Sequence, residues 1–360
     1  MPAAFSSIKH PKIHTYTSVK GIRFGFPFFC YHGIMIELFG TLGPSCRDPQ
    51  TLIRMFQEGM NGMRLNLSHA SLKESSELIR CYHDAAAEAG VKGELLVDLQ
   101  GPELRLGLLD EPMELKEHAL LETDDLPLPE CVLDALEEQD VVLLDDGKIE
   151  LTCENHQFFV RRGGLLTSRK SIKIIGKDLP MPALTQTDRE NLAAAKEFGV
   201  SAVMQPFVRN ADDLLALKEE LKRCGCSSIR IFSKIENRTG LEHLEEIIAN
   251  SDMIVIARGD LGNDVPLSEL PGVQKDIAAA CRKQNVPFLV VTQMLTSMIH
   301  SPIPTRAEVS DIFNAVTDGA SAVMVTNETA VGDYPAEVIK VLYDTAGAAE
   351  RWLKTHTSER

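Results

Sequence analysis

The chain has 360 residues, of which 44% are hydrophobic and 25% are charged, and this composition is typical of a soluble globular protein. Its formal net charge of -15 argues against binding to nucleic acid or to an anionic membrane surface, because both need a basic protein surface. Eight cysteines at irregular spacings, with no CxxC motif, indicate reduced thiols and predict a cytoplasmic protein.

The first 34 residues differ from the rest of the chain in composition. They contain basic residues but no acidic residue, and they include the aromatic stretch GFPFFCYHG. A transit peptide also lacks acidic residues, but this segment has a single arginine and no clear amphipathic period. We therefore predict that residues 1–34 are a non-core extension and that the folded part begins near Met35.

From Ile34 onward, short apolar runs alternate with amphipathic stretches. Runs rich in Val, Ile, Leu and Met are typical of parallel strands that are buried on both faces. The eight runs are MIELFGTLG, GMRLNLS, GELLVDLQ, SAVMQPF, IRIFSKI, MIVIARGD, PFLVVTQM and SAVMVTNE. This alternation predicts an α/β fold, a (β/α)8 TIM barrel formed by residues 35–106 and 179–355.

The connection after the third run is much longer than the others. It contains alternating strand-like pieces and little helix, which predicts a small β-barrel-like domain over residues 107–178, inserted after the third strand. Such a domain would leave the barrel at the face where active sites lie, so we expect it to act as a lid. Within it, Asp145-Asp146-Gly147 is more typical of a hairpin turn than of a ligand site.

Polar side chains recur at the carboxyl ends of the predicted strands, where functional residues of a barrel lie. In chain order they are Arg64, Asn66, Ser68 and His69; Asp98; Lys234 and Glu236; Arg258 and Asp260; Thr292 and Gln293; and Thr326 with Glu328. Each group also has a purely structural alternative. SKIEN could be a strand running into solvent, ARGDLG a turn, the residues from Asn66 to His69 a helix N-cap, and Thr292 with Gln293 partners of buried backbone groups. Their joint occurrence at successive strand ends favours a functional site.

The types of these residues indicate metal and phosphoryl chemistry. Glu236 and Asp260 end successive strands, and two carboxylates with open positions suit Mg²⁺ or Mn²⁺. Lys234 supplies a positive charge for a phosphoryl group or an enolate, and Arg64 a forked donor suited to phosphate. The glycine of the ARGD stretch, Gly259, lets backbone N–H groups approach a carboxylate or phosphate.

With these motifs, the chain resembles the pyruvate kinase family. The matching segments are collinear from about residue 36 to 345 and include TLGPSC, GMNGMRLNLSHAS, VDLQGPELRLG, SKIENRTGL, MIVIARGDLG, TQMLTSM and PTRAE. The resemblance implies a barrel with a β domain after the third strand. It also implies a phosphotransferase that moves the phosphoryl group of phosphoenolpyruvate to ADP, giving pyruvate and ATP in glycolysis.

The resemblance assigns roles at the centre of the site. Glu236 and Asp260 would hold the divalent metal, Mg²⁺ or Mn²⁺, and Lys234 would stabilise the transferring phosphoryl group and the enolate. Arg64 would bind phosphate, and the amides near Gly259 and Asp260, together with Thr292, would bind the substrate carboxylate.

It also assigns roles at the edges of the site. The positions are Asn66, His69 and Arg105 for the nucleotide, Asn66, Ser68, Asp98 and Leu99 for a monovalent cation, and Thr326 with Glu328 for protonation of the enolate.

The chain departs from the family pattern in four places. It ends after the eighth predicted barrel helix, where the family carries a C-terminal regulatory domain, so we expect no allosteric control through that domain. Leu99, Gln100 and Leu106 resemble potassium-independent members, whereas Glu103 resembles potassium-dependent ones, which leaves K⁺ dependence open. Asn327 stands where the family has glycine, and the inserted domain reads SRKSIKIIG in place of a Gly–Asn–Leu–Pro–Gly run.

Two other functions remain as alternatives. One is a catalytically idle relative that binds phosphoenolpyruvate or a partner protein. The other is a metal-dependent lyase or aldolase that acts on a 2-keto acid. The set of charged residues around Lys234 favours an enzyme, because unbalanced buried charge costs stability. From the PTRAE segment we also expect a homodimer through barrel helices.

Overall fold

The computed structural model describes residues 35–145, 147–177, 179 and 181–356, so the predicted extension over 1–34 lies outside the described residues. The eight apolar runs form one closed barrel of parallel strands, which confirms the predicted (β/α)8 fold. The barrel strands are β1 Glu37–Thr41, β2 Gly62–Asn66, β3 Glu94–Asp98, β11 Val200–Gln205, β12 Arg230–Ile235, β13 Met253–Ala257, β14 Phe288–Val291 and β15 Ala322–Met324.

Residues along each barrel strand alternate between the barrel interior and the helix layer. In β12, Phe232 packs inside the barrel against other interior residues such as Phe39 and Leu96. Ile231 and Ile235, which lie on the other face of the same strand, belong instead to the core between the strands and the helices. Both faces of the strands are therefore buried, and this explains why the strands appear in the sequence as continuous apolar runs.

Helices cover the outside of the barrel, and their ends follow local sequence signals. Asn210 begins α5, because its side chain accepts hydrogen bonds from the amides of Asp212 and Asp213, and Leu214 and Leu217 bury one face of the helix. The helices of the barrel are α1 Pro49–Gln57, α2 Ser76–Glu88, α4 Gln186–Ala194, α5 Ala211–Arg223, α6 Arg238–Glu242, α7 Leu244–Ala249, α8 Arg258–Asp264, α9 Leu270–Gln284, α10 Arg306–Thr317, α11 Asn327–Ala330 and α12 Pro335–His356. No helix in the described part of the chain is both long and apolar enough to cross a membrane.

The helical pattern of the sequence differs from the structure at two places. The amphipathic pattern after the fifth apolar run, over residues 239–249, predicts one helix, but the structure has two, α6 and α7, which meet at His243. The ARGDLG stretch, whose glycines favour a turn, forms most of helix α8 directly after β13. Tertiary contacts override propensity there, because Arg258 at the start of α8 pairs with Asp311 of α10 at 2.7 Å.

The long connection after β3 forms antiparallel sheets. Its strands are β4 Met113–Leu115, β5 Leu120–Glu122, β6 Val141–Leu144, β7 Ile149–Glu154, β8 Gln157–Arg162, β9 Gly164–Leu166 and β10 Ile172–Ile174, with a short helix α3 Glu130–Leu133. Five strands pair in the order β10-β6-β7-β8-β5, and β4 pairs with β9. Their core, which includes Leu144, Leu151 and Phe158, also includes Leu106. The division into domains at residues 107 and 178 remains a prediction.

The turn between β6 and β7 lies where the sequence predicts a hairpin. Asp145 and Gly147 both have positive φ, 51° and 79°, a conformation that Asp and Gly adopt more readily than most residues. Asp146 lies outside the described residues. Asp145 also pairs with Lys148 at 3.0 Å and with Lys170 at 2.7 Å, so its carboxylate is neutralised within the inserted sheets.

Candidate active site

Charged side chains meet inside the barrel at the carboxyl ends of its strands. Lys234 lies two residues after the interior residue Phe232, and Asp98 two residues after the interior residue Leu96, so both point into the barrel. The Nζ atom of Lys234 lies 3.2 Å from Oδ2 of Asp98 and 2.9 Å from Oε1 of Glu236. The structure thus brings together three of the predicted site residues.

Asp98 pairs with two cations. Its Oδ2 accepts a hydrogen bond of 2.7 Å from Nε of Arg64, in addition to its contact with Lys234. Burial opposes ionisation of Asp98, but Lys234 and Arg64 outweigh this effect and hold its pKa below the usual range. Burial would likewise lower the pKa of Lys234, but Asp98 and Glu236 raise it above its ordinary value. Lys234 and Asp98 are therefore both charged at neutral pH.

Among the described ion pairs, Glu236 has fewer cationic partners than Asp98. Its Oε2 accepts a 2.9 Å hydrogen bond from the amide of Phe207, whereas its buried Oε1 has no hydrogen-bond partner and only the ion-pair contact with Lys234. Burial, together with the charges of Asp260 and Asp98, raises the pKa of Glu236 to about 7 against the opposing effect of Lys234. A further cation beside Glu236 would favour its ionised form.

A divalent hard cation fits these donors. Glu236 and Asp260 offer carboxylate oxygens, and Oε1 of Glu236 is a buried oxygen without a hydrogen-bond donor. Within the described residues, no group of three or more His, Cys, Asp or Glu side chains converges as in a closed metal cage. Mg²⁺ suits such a place, because it usually binds one or two carboxylates and completes its shell with water and substrate oxygens.

The loop that follows β14 has a strained backbone. Thr292 and Gln293 follow β14 with φ values of 80° and 56°, which are rare for residues other than glycine and costly for a β-branched one. Arg258 holds the loop, because its Nη2 donates a 2.6 Å hydrogen bond to the carbonyl of Thr292. A Cβ atom on Gly259 would lie 3.2 Å from Cγ2 of Thr292, so the first turn of α8 approaches this loop closely.

The predicted nucleotide and monovalent-cation residues lie around β2 and β3. Oδ1 of Asn66 accepts a 3.1 Å hydrogen bond from the amide of Ser68, which forms a local turn and not the N-cap of α2, since that helix begins at Ser76. His69 is exposed. The side chain of Leu99 packs in the apolar core, so this residue offers a ligand only its backbone carbonyl.

Arg105 lies at the start of the inserted segment. It donates hydrogen bonds of 3.0 and 2.7 Å to Oε2 of Glu103 and of 2.8 Å to the carbonyl of Arg169. Arg105 also forms an isolated bridge with Ser171. Its guanidinium therefore lies between the two connections of the inserted sheets, with about one third of the side chain exposed.

Thr326 and Glu328 lie at the end of β15. Glu328 is 1% exposed, and its oxygens accept bonds from the amides of Thr326 and Leu295, at 2.7 and 3.2 Å, and from the hydroxyl of Thr326 at 3.2 Å. Asn327 begins α11 and is absent from the residues with positive φ, so this position does not need the conformational freedom of glycine. The turn accommodates asparagine without backbone strain.

Comparison with known proteins agrees with this geometry. A family model described as "Pyruvate kinase, barrel domain" matches residues 35–339. The pyruvate kinase of Methylorubrum extorquens is 38% identical over 332 residues, which cover 88% of this chain and 68% of that protein. The pyruvate kinase of Thermotoga maritima is 38% identical over 330 residues, with 87% and 71% covered, and that of Aeropyrum pernix is 35% identical over 335 residues, with 90% and 73% covered. The chain belongs to the pyruvate kinase family.

The sequence motifs do not predict the positions of three residues in or near the site. Phe207 has φ 53° and donates its amide to Glu236, and nothing in the sequence QPFV indicates that conformation. Arg258 was among the predicted polar residues at strand ends, but no role was predicted for it. In the structure it donates a hydrogen bond to the carbonyl of Thr292. Asp188 is fully buried and bonds to the connection after β3; the only sequence signal is a capping box at Thr185.

Proposed function

We propose that this chain transfers the phosphoryl group of phosphoenolpyruvate to ADP and protonates the resulting enolate, giving pyruvate and ATP. The observation that carries the proposal is the position of Lys234 between Asp98 and Glu236, in ion-pair contact with the buried Oε1 of Glu236. Phosphoryl transfer needs little covalent chemistry from a protein, and positioned charges supply most of its catalysis.

Glu236 and Asp260 hold the divalent metal, Mg²⁺ or Mn²⁺, in this proposal. The bound metal supplies positive charge that orients substrate oxygens and stabilises the developing enolate. The amide of Phe207 fixes one oxygen of Glu236 and leaves Oε1 for the ion. The amides of Gly259 and Asp260 and the hydroxyl of Thr292 bind the substrate carboxylate, supported by their place in the first turn of α8 and at the strained end of β14.

Lys234 and Arg64 stabilise the transferring phosphoryl group. Lys234 remains an ammonium group because Asp98 and Glu236 raise its pKa, so it can offer a positive charge to the bridging oxygen of the substrate. Asp98 holds the Arg64 guanidinium through Nε, and this leaves the other guanidinium nitrogens for phosphate. Asn66, Ser68, Asp98 and the carbonyl of Leu99 form the proposed monovalent-cation site.

The nucleotide lies on the side of Asn66, His69 and Arg105 in this proposal. The inserted sheets are the lid over it, joined to the barrel beside Arg105. Thr326 delivers the proton to the enolate, and Glu328 positions the Thr326 hydroxyl from behind through its 3.2 Å hydrogen bond. We further propose a cytoplasmic protein and a homodimer through barrel helices.

The deciding experiment measures ATP formation by the purified full chain from phosphoenolpyruvate and ADP with Mg²⁺, with and without K⁺. The K⁺ comparison tests the proposed site at Asn66, Ser68, Asp98 and Leu99. Absence of ATP formation, with retained enolisation of pyruvate, would instead support a lyase on the same barrel. Binding of phosphoenolpyruvate without either reaction would support an idle binding protein.

A further inference from the structure

Both connections between the inserted sheets and the barrel meet at Asp188. This residue lies in the first turn of α4 and is fully buried. On the outgoing connection, Oδ1 of Asp188 accepts a 2.9 Å hydrogen bond from the amide of Gln100, and Oδ2 accepts a 3.1 Å bond from the amide of Gly101. On the returning connection, Oδ2 accepts from the amide and the hydroxyl of Thr185, at 2.9 and 2.7 Å.

These contacts exceed what a helix cap requires. A capping box needs only the reciprocal bonds between Thr185 and Asp188. The two bonds to Gln100 and Gly101 join α4 to a segment that lies 87 to 88 positions away in sequence, directly after β3. One carboxylate therefore fixes the outgoing and the returning connection relative to each other.

The outgoing connection also packs against the metal-binding end of the barrel. Gly101 has φ +64°, and a Cβ atom there would lie 2.5 Å from Cγ of Pro206. The next residue, Phe207, donates its amide to Oε2 of Glu236. A displacement at Gly101 would therefore act on the loop that orients Glu236, as well as on the inserted sheets.

We propose that Asp188 is a positioning residue that sets the place of the inserted sheets over the active site. The proposal rests on the function given above, because it assigns those sheets the role of a lid. A lid rotates about a few residues at its connections, and the residues that fix those connections determine how the lid closes. Asp188 touches no substrate and acts through Gln100, Gly101 and Thr185.

Two matched variants separate positioning from helix capping. Asp188→Asn keeps the side-chain volume, but an amide has one acceptor oxygen, so in either orientation its NH₂ group faces at least one amide of Gln100 or Gly101. Thr185→Ala removes the hydroxyl bonds of the capping box and leaves the bonds from Asp188 to Gln100 and Gly101 intact.

The experiment compares both variants with the wild-type chain by hydrogen–deuterium exchange and steady-state kinetics. For Asp188→Asn we expect exchange in peptides spanning residues 99–106 to rise by about fivefold. We expect kcat/KM for ADP to fall by about tenfold, while the dissociation constant of phosphoenolpyruvate with Mn²⁺ rises by a smaller factor, through the loop that orients Glu236. Thr185→Ala should have the same hydrogen exchange in residues 99–106 as the wild-type chain. Its kcat/KM for ADP and its dissociation constant for phosphoenolpyruvate should also equal those of the wild type.

Gly101→Ala provides a second route to the same displacement, from the side of Pro206, and should raise the exchange of residues 99–106 even if Asp188→Asn does not fold. Wild-type exchange in Asp188→Asn, or equal kinetics in Asp188→Asn and Thr185→Ala, would overturn the proposal. If the wild-type chain forms no ATP, the proposed function fails, and the local exchange still decides whether Asp188 holds the connections.

Discussion

The ammonium group of Lys234 lies 2.9 Å from Oε1 of Glu236 and 3.2 Å from Oδ2 of Asp98, so one buried cation serves two buried carboxylates. Asp98 has a second cation in Arg64, at 2.7 Å, whereas Lys234 is the one cation that pairs with Glu236 among the described residues. A divalent ion on Glu236 would take over the neutralisation of that carboxylate. Lys234 would then be available to the transferring phosphoryl group.

Replacement of this lysine should abolish the reaction. For Lys234→Met we expect kcat for ATP formation to fall by about a thousandfold or more, because the positive charge aimed at the developing enolate is lost. Without metal, the free energy of unfolding should also fall by about 3 kcal/mol, because two buried carboxylates lose their shared partner. Lys196→Met, an exposed lysine on the barrel surface, is the control for the same chemical change. Retention of more than about a tenth of the activity would contradict this role.

Removal of the charge on Glu236 should weaken metal binding. Glu236→Gln keeps an acceptor for the amide of Phe207. Its side chain is neutral, however, so the negative charge at the position of Oε1 is lost. We expect the affinity for Mn²⁺, measured as free Mn²⁺ by electron paramagnetic resonance, to fall by at least about tenfold. Glu242→Gln changes an exposed glutamate of the adjacent helix α6 and should leave the affinity unchanged. Equal Mn²⁺ affinity in both variants would show that Glu236 does not bind the metal.

Sequence periodicity predicted the barrel because its strands are buried on both faces and each is a continuous apolar run. It also predicted which strand ends are polar, since Lys234 and Asp98 break the apolar pattern at interior positions. These signals are local, so a single chain contains them. The segment after β3 was recognisable for the same reason, from alternating strands where a helix would be expected.

Contacts between distant segments were not predictable in this way. Phe207 has a positive φ that an aromatic residue rarely adopts, and only the surrounding fold imposes it. Helix α8 forms against the propensity of its glycines because Arg258 is fixed by Asp311 and by the carbonyl of Thr292. Asp188 looks like an ordinary capping residue until the connection after β3 is placed beside it.

One ion pair joins the inserted sheets to the helix that carries Asp260. Nζ of Lys173, on β10, lies 2.9 Å from Oδ2 of Asp264, at the end of α8, and the same oxygen accepts a 3.0 Å bond from the amide of Arg238. For Lys173→Met we expect KM for ADP to rise by about threefold to tenfold with little change in kcat, because the inserted sheets, which we propose to be a lid, lose a contact with α8. The free energy of unfolding should also fall, because the largely buried carboxylate of Asp264 loses its cation.

Lys177→Met is the matched control for the ion pair of Lys173. Lys177 has a similar exposure, 26% against 23%, but it pairs with Glu137 and Asp140 inside the inserted segment. Its loss should affect the stability of that segment without a specific effect on KM for ADP. A rise in KM of the same size in both variants would show that the contact between β10 and α8 has no special role.

Glu37 gives the stability of the barrel a pH dependence that is separate from the site. It lies at the start of β1, at the opposite end of the barrel from Lys234. Burial and the neighbouring Glu94 raise its pKa to about 7 against the opposing effect of Arg230. Below pH 4.5, the ordinary pKa of a glutamate side chain, Glu37 is protonated in both folded and unfolded chains. As the pH rises from there to 7, the unfolded chain loses the proton while the folded chain keeps it, so the free energy of unfolding falls.

Substitution of Glu37 should therefore remove this part of the pH dependence. For Glu37→Gln we expect the free energy of unfolding to exceed that of the wild type by about 2–3 kcal/mol at pH 8 and by less than about 1 kcal/mol at pH 5. Urea unfolding at the two pH values measures the difference, with the exposed Glu219→Gln as the control. The kcat should be unaffected, because Glu37 lies at the far end of the barrel. If Glu37→Gln loses as much stability between pH 5 and 8 as the wild type, another group causes the dependence.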